Sequence, residues 1–264
     1  MPMGLPSSGT TGLVVSPSQE RYRLAAELQT LLGSITRLWT PDSGETTTST
    51  DLSVNGATLT YDATKAGAYT AQGYGHILPF NGSSNYGSYP DAADLTFSNG
   101  SADSAFSLLF CGSITDTAAD RTIISKWASG ASEWDWVIDS AADRSRFRTR
   151  DETVGVSSFR QANAAQTMGA MTTLGVSYTP GAAATNHSGT VLYQNGAAVA
   201  STATNNASYV TMRNQTTVVE IGSSSAHASG FFQGSMGLVA IVPKAMTAQE
   251  MWVFHQLCRG HFGF

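Results

Sequence analysis

The first regular pattern of apolar and polar positions in the chain predicts an amphipathic helix. Its start is marked by Ser16 followed by Pro17, because serine is a favoured N-cap and proline fits the first helical position. Gln19 completes a capping box, and Gly33 supplies a residue suited to the C-cap. The apolar positions recur at helical spacing and are Leu24, Leu28, Leu31, Leu32 and Ile35.

The apolar stripe of this helix has no second helix near it in the sequence to pack against. It must therefore be covered by the rest of its own chain, by a copy of itself or by another protein. We predict that oligomer or anchoring contacts are made by Leu24, Leu28, Leu31 and Ile35. Because residues 41–50 form a Ser/Thr-rich linker, we assign residues 1–50 to an N-terminal arm and residues 51–264 to a separate domain.

Most of the remaining chain carries the signals of short strands. Leu174, Val176 and Tyr178 alternate with small residues, which is typical of a half-buried strand. Residues 106–111 and 236–242 are instead almost continuously apolar, which is typical of central strands. About a dozen such segments, with hardly a helix between them, predict an antiparallel β-sandwich.

Turn and cap signals punctuate these strands. Asn55-Gly56 and Asn195-Gly196 each lie between β-prone segments and predict two-residue type I′ hairpins. A second helix is predicted after Thr247, because Thr247 and Glu250 form a capping box.

Composition narrows the partners that we expect. Charged residues make up 12% of the chain and the formal net charge is −5, so the protein has no general attraction to nucleic acid. No segment approaches the ~20 apolar residues of a membrane span, and the first residues lack the pattern of a signal peptide. We therefore expect neither nucleic acid nor a membrane as a partner of the protein. We expect Cys111 and Cys258 to be buried free thiols.

Five segments after His76 resemble, in order, the laminin-G-like, concanavalin A-like lectin/glucanase jelly roll. The segments are 77–86 (ILPFNGSSNY), 105–110 (AFSLLF), 122–127 (TIISKW), 193–196 (YQNG) and the closing strand and helix in 232–250. The resemblance implies an all-β, concanavalin A-like antiparallel sandwich. The helical arm would precede this sandwich, and a short C-terminal helix would end it.

The segments 38–48 and 59–64 resemble the lead-in to such domains in virion proteins of tailed bacteriophages. This resemblance implies a noncatalytic virion protein, assembled in the host cytoplasm and displayed on the virion surface as a homo-oligomer, with a trimer favoured. The sequence has no long coiled coil or triple-helical shaft, so we expect a head decoration protein bound to the major capsid protein or other virion proteins. The alternatives are a tail-associated module that recognises a surface glycan and, third, a glycan hydrolase of the laminarinase-like fold.

The segment from Glu133 to Asp139 contains the most enzyme-like motif. Laminarinase-type enzymes place carboxylates two and four residues apart on one strand, but here Val137 occupies the last of those positions. We therefore predict no catalytic residue. A hairpin closed by residues 140–143 accounts for the charges as a structural ladder, with an anionic-ligand site as the alternative. The predicted pairs are Asp139 with Arg144, Asp135 with Arg148, and Glu133 with Arg150.

Two further kinds of ligand site are weighed from loop residues. Calcium needs six to eight oxygen ligands, and its only candidates are Asp91, Asp94, Asp116 and Asp120, which we interpret first as solvated aspartates. No cofactor is predicted. Sugar-stacking rings are sought among Tyr86, Tyr89 and Trp127, although aromatic residues of this kind also finish core edges and interfaces.

Overall fold

The structure is a computed structural model that describes residues 17–62, 69–115 and 118–264. Two antiparallel sheets pack face to face, and two α-helices lie outside one of them. Short 3-10 helices span Ala93–Leu95 and Ala183–Thr185. In chain order the other elements are α1 (Pro17–Leu32), β1 (Arg37–Trp39), β2 (Thr48–Thr50), β3 (Thr58–Tyr61), β4 (Thr70–Gln72), β5 (Gly75–Asn81), β6 (Gly87–Tyr89), β7 (Phe106–Ile114), β8 (Arg121–Lys126), β9 (Trp134–Asp139), β10 (Arg144–Asp151), β11 (Val156–Ala162), β12 (Thr172–Tyr178), β13 (Val191–Gln194), β14 (Ala197–Ala198), β15 (Ser201–Thr204), β16 (Val219–Ile221), β17 (Gln233–Val242) and α2 (Ala248–Phe262).

The eight-stranded sheet has the order β14-β13-β12-β7-β17-β5-β4, and β1 also pairs with β17. The nine-stranded sheet has the order β15-β11-β10-β9-β8-β16-β6-β3-β2. Their facing sides enclose an aromatic core, in which the ring of Phe106 lies 5.7 Å from Trp134, 5.7 Å from Phe147 and 5.5 Å from Tyr178. The predicted all-β, concanavalin A-like sandwich with a helix near each end is confirmed.

The central strands β7 and β17 are apolar on both faces, as their continuous apolar sequences predict. Phe106, Leu108 and Phe110 point into the space between the sheets. Leu109 and Cys111 point outward, where α1 and α2 cover them. This outer layer forms a second hydrophobic core.

Helix α1 therefore buries its apolar stripe in its own chain, which corrects the expectation of contacts between chains. Leu24, Leu28 and Ile35 are at most 2% exposed and pack with the outward-facing residues of β7 and β17 and with α2. Leu31 is only partly buried, in an apolar groove between the two helices. The physical reason is that the outer face of the eight-stranded sheet itself needs an apolar cover.

The boundary predicted at residue 50 falls inside the sandwich. β1 pairs with β17, with Leu38 opposite Ala240, and β2 pairs with β3, with Ser49 opposite Leu59. The threonines that suggested a linker are β-branched and suit a strand equally well. Residues 37–39 and 48–50 thus belong to the two sheets, and the loop between them is part of the sandwich.

The turn and cap signals have different outcomes. Asn195 and Gly196 have φ values of 51° and 77° and join β13 directly to β14, which confirms the two-residue hairpin. Asn55-Gly56 lies instead within a seven-residue connection from β2 to β3, so that prediction is wrong.

The helix signals hold where the structure describes them. Gly33 ends α1 with φ 77°, and Thr247 and Glu250 form the capping box of α2. The N-cap at Ser16 lies outside the described residues. Cys111 and Cys258 are buried free thiols, as predicted. Neither α1 nor α2 is long and apolar enough to cross a bilayer.

A buried ion cluster fixes α1 on the sandwich. Arg21 is 8% exposed, and its Nη1 donates to Glu45 Oε1 at 2.8 Å while its Nε lies 3.3 Å from Asp42 Oδ2. Glu45 also accepts hydrogen bonds from the hydroxyls of Ser49 (2.6 Å) and Tyr61 (3.2 Å). The cluster joins the first turns of the helix to the loop between β1 and β2.

We expect Arg21→Ala to lower the free energy of unfolding by about 3 kcal/mol, because Asp42 and Glu45 would stay buried without their counter-charge. Urea denaturation measures this loss. The matched control is Arg23→Ala, since Arg23 is 55% exposed and its pairs with glutamates on the same helix should contribute less than about 1 kcal/mol. Equal losses in the two variants would contradict a locking role for Arg21.

Candidate functional site

The outer face of the nine-stranded sheet is the surface on which we place the candidate site. Both helices pack on the eight-stranded sheet, so no helix of the described residues covers this face. Residues that lie directly opposite each other on neighbouring strands point to the same face of the sheet. The strand register therefore places six residues in one row across the outer face. The row consists of Phe159 in β11, Arg148 in β10, Asp135 in β9, Ser125 in β8, Glu220 in β16 and Ser88 in β6.

Strands β9 and β10 form the charged part of this face. Residues 140–143 connect them, and the register places Arg144 opposite Asp139 and Arg148 opposite Asp135, as the alternation of charges predicts. Arg148 forms a fork with Asp135, in which Nε donates to Oδ1 at 3.1 Å and Nη2 donates to Oδ2. Arg144 Nε lies 3.7 Å from Asp139 Oδ2.

The third predicted pair, Glu133 with Arg150, does not form. Glu133 precedes the first residue of β9, and its carboxylate turns to Lys126, with 2.6 Å between Nζ and Oε1. Arg150 pairs with Glu152 instead of Glu133, with 2.9 Å between Arg150 Nε and Glu152 Oε1. The ladder is therefore correct along the paired strands and wrong at the strand end, where the side chains no longer face each other.

A cavity of about 350 Å³ opens beside these pairs. Strand residues of β8, β9 and β10 line it on one side, and the loop after β16 lines it on another. The lining residues are Ala119, Asp120, Thr122, Trp127, Asp135, Val137, Arg146, Arg148, Ser224, Ser225, Ser229 and Gly230.

Trp127 supplies the aromatic surface of the cavity. It follows β8 directly and is half-buried. The guanidinium carbon of Arg148 lies 3.8 Å from the centre of the Trp127 ring, and that of Arg150 lies 6.0 Å from it. The ring and the guanidinium hold each other in place through a cation–π contact.

The other two candidate stacking rings do not line this cavity. Tyr89 is 1% exposed and belongs to the core, with the Arg37 guanidinium 5.6 Å from its ring centre, so it is not available to a sugar. Tyr86 stacks on His227, with 3.9 Å between ring centres and 6° between planes. Of the three predicted rings, only Trp127 lines the cavity.

The loop that borders the cavity contains three consecutive residues in the left-handed region. Ser225, Ala226 and His227 have φ values of 60°, 55° and 66°. This conformation costs a non-glycine residue about 1–2 kcal/mol. Such strain persists where surrounding structure enforces it and is frequent at binding sites.

Glu220 provides much of that enforcement. Its side chain is fully buried, and Oε2 accepts hydrogen bonds from the Ser223 hydroxyl at 2.5 Å and the His227 N–H at 3.1 Å. At the two ends of the loop, Ser225 N–H donates to the Trp127 carbonyl and Thr122 N–H donates to the Gly230 carbonyl. The loop is thus tied to the same strand, β8, that leads into Trp127.

Sequence reasoning missed two residues of this face, Phe159 and Glu220. Phe159 is half-buried and lies directly opposite Arg148. The sequence of β11 has no clean alternation that would have predicted which side chains face outward. Glu220 lies in a strand of three residues, which is too short for a periodic signal.

The structure gives no support to a calcium site at the predicted aspartates. Asp91 Oδ1 lies 2.8 Å from Lys126 Nζ, and Asp94 pairs with Arg37 at 2.6 Å. Asp120 accepts a hydrogen bond from Arg146 Nη2 at 3.0 Å. Asp116 lies outside the described residues, among which no three His, Cys, Asp or Glu side chains are grouped for a metal.

Comparison with known proteins gives a family and a set of folds. The family model of the concanavalin A-like lectin/glucanase superfamily matches residues 81–251. No curated protein matches the sequence.

Solved structures with the same fold include the receptor-binding domain of a botulinum neurotoxin and the binding domain of a mosquitocidal protein. That of botulinum neurotoxin type G has 12% identity and a TM-score of 0.57, over 85% of this chain and 51% of its own. The binding domain of paraclostridial mosquitocidal protein 1 has 11% identity and a TM-score of 0.63, over 85% and 52%. This chain thus spans about half the length of those domains.

We expect Ala226→Gly to raise the free energy of unfolding by about 1 kcal/mol, because glycine adopts φ 55° without the steric penalty. Thermal or urea denaturation measures the gain. Ala228→Gly, two residues further on and equally exposed, is the matched control; because its φ is not positive, the same change should bring no gain. A stabilised Ala228→Gly would refute the role of loop strain.

The buried Glu133 predicts a pH dependence of stability. Burial, only partly offset by Lys126, raises the pKa of Glu133 from 4.5 to about 7. The folded protein therefore holds a proton that the unfolded chain releases in this range, so the stability that Glu133 contributes is complete below pH 4.5 and is lost as the pH rises through 7. Glu133→Gln should thus gain stability relative to the parent as the pH rises from 4.5 to 7.

The control for this prediction is Glu152→Gln. Burial raises the pKa of Glu152, but hydrogen bonds from Ser132 and Arg150 lower it by more, so the pKa lies below its usual value. The stability that Glu152 contributes is therefore lost at low pH instead. Denaturation curves across the pH range should show opposite slopes for the two variants. Parallel slopes would contradict the assignment for Glu133.

Proposed function

Because the chain belongs to the concanavalin A-like lectin/glucanase superfamily, we propose that it is a noncatalytic glycan-binding module whose site is the cavity beside Trp127. The observation that carries this proposal is the meeting of one aromatic ring with two arginine–carboxylate pairs in a single cavity. Receptor binding is also the role in the name of the botulinum neurotoxin domain that shares the fold.

The chemistry of the cavity suits a sugar. The C–H face of a pyranose packs on an aromatic ring, and its hydroxyls both donate and accept hydrogen bonds. The pairs Arg148–Asp135 and Arg146–Asp120 offer donors and acceptors side by side. Ser224, Ser225 and Ser229 add hydroxyls from the loop.

A hydrolase of the laminarinase-like type is less well supported by the carboxylates. Such an enzyme needs an acid and a nucleophile on the two sides of the scissile bond, about 5–5.5 Å apart for the retaining reaction. Asp135 is engaged in its fork with Arg148. Glu133 is fully buried beside Lys126 and does not line the cavity. Neither carboxylate is free to attack or protonate a sugar.

For the biological setting we propose display on the virion surface of a tailed phage after assembly in the host cytoplasm, on the strength of the N-terminal resemblance. Between the two virion roles, receptor recognition on the tail uses the cavity, whereas head decoration would not require it. Attachment to other virion proteins, among them the major capsid protein, or association into a trimer would have to use surfaces other than the buried stripe of α1.

We expect Trp127→Ala to reduce the affinity for a bound glycan at least roughly tenfold. Stacking of a ligand ring on an aromatic side chain contributes on the order of 1–3 kcal/mol, and this variant removes it. Screening on a glycan array followed by titration calorimetry measures this. The matched control is Trp252→Ala, because Trp252 is 48% exposed on α2, on the opposite side of the sandwich. Equal binding by both variants, each shown to be folded by circular dichroism, would rule out the site.

A further inference from the structure

The charges that line the cavity are matched in number. Two arginines, Arg146 and Arg148, and two aspartates, Asp120 and Asp135, are the charged residues among the described residues lining it. Each arginine is bonded to one aspartate, Arg146 Nη2 to Asp120 Oδ2 at 3.0 Å and Arg148 Nε to Asp135 Oδ1 at 3.1 Å. The cavity thus carries both signs of charge without an excess of either.

The arginines that flank the cavity pairs on β10 and the lysine at the end of β8 are also held by carboxylates. On β10, the flanking Arg144 and Arg150 pair with Asp139 and Glu152. On β8, Lys126 turns to Glu133 and Asp91. In the loop after β16, His227 Nδ1 lies 3.2 Å from Glu220 Oε2.

Both aspartates of the cavity accept several hydrogen bonds that fix their positions. Asp135 is 2% exposed and receives two guanidinium hydrogen bonds from Arg148. Asp120 accepts from Arg146 and from the backbone N–H and hydroxyl of Ser140, at 2.8 and 3.0 Å. Burial raises the pKa of Asp120, but these contacts lower it by more, so the pKa lies below its usual value.

From this pairing we infer that the cavity selects uncharged glycans and rejects sulfated or uronate-containing ones. An anionic sugar would have to displace an aspartate from its arginine or lie beside it, and either arrangement leaves like charges close together in a partly desolvated site. A neutral sugar can accept from the guanidinium and donate to the carboxylate while both charges stay paired. The inference rests on the proposed function and names the class of glycan that the site takes.

Asp135 is the residue that sets this selectivity. In Asp135→Asn the shape is kept, but Arg148 loses its counter-charge and the cavity gains one net positive charge. The preference for neutral glycans should then reverse. Affinity for an anionic glycan should rise roughly tenfold and become sensitive to salt, while affinity for the neutral form falls by a similar factor.

The experiment uses the full chain and an array on which neutral oligosaccharides are printed beside sulfated and uronate forms of the same backbones. Oligogalacturonate and its methyl ester, which share one backbone and differ only at the carboxyl group, where methylation removes the charge, serve as the pair for titration. The parent protein should bind neutral members with an affinity that is nearly independent of salt, and Asp135→Asn should prefer the anionic members.

Glu27→Gln is the control, because it makes the same change in net charge and also removes a carboxylate from an arginine, Arg23, but on α1, which packs on the other sheet. It should leave the preference unchanged. Stronger binding of anionic than neutral glycans by the parent would overturn the selectivity while leaving glycan binding intact. Binding of no glycan by the parent would instead overturn the proposed function, and the selectivity with it. A Glu27→Gln variant that changed preference like Asp135→Asn would also overturn the role of the cavity pairs.

Discussion

The two-sided apolar character of β7 and β17 is the constraint on which the rest of the structure depends. One face of these strands contributes Phe106, Leu108 and Phe110 to the core between the sheets, and the other exposes Leu109 and Cys111 to whatever covers it. Contact of such an apolar face with water would be unfavourable. Helices α1 and α2 are therefore used as a cover, and the Arg21 cluster holds the first of them in place.

Because the helices cover the outer face of the eight-stranded sheet, the candidate site lies on the outer face of the nine-stranded sheet. The nine-stranded sheet presents to solvent a face on which arginine and carboxylate side chains already satisfy each other. This arrangement serves two ends at once. The pairs fix the register of β9 against β10, and they supply hydrogen-bonding groups whose positions are set before any ligand arrives. The strained loop held by Glu220 extends the same preorganisation to the edge of the cavity.

The sequence predicts best what depends on neighbours along the chain. The hairpin of β9 and β10, the turn at Asn195-Gly196 and the capping box at Thr247 all follow from short patterns. What failed depends on contacts that are distant in sequence. The stripe of α1 could be covered by several kinds of surface, and nothing local indicates that Tyr89 is buried beside Arg37, 52 residues away.

The candidate site shows the same limit. Trp127 and the charged pairs were visible as residue types, but their meeting with Ser224, Ser225 and Ser229 in one cavity requires the loop after β16, about 100 residues later in the chain. Phe159 was missed because its strand does not alternate. Fold and register could therefore be predicted further than the shape of the site.

The packing of α1 against α2 also decides which side of the sandwich is open to an approaching molecule. The two helices lie side by side on the eight-stranded sheet, and Glu20 in the first turn of α1 is close enough to His261 in the last turn of α2 to influence its charge. The chain thus enters and leaves the described structure at one corner of the helical layer. Both helices lie against the sheet that faces away from the candidate cavity, so a molecule approaching the cavity meets strands and loops and neither helix.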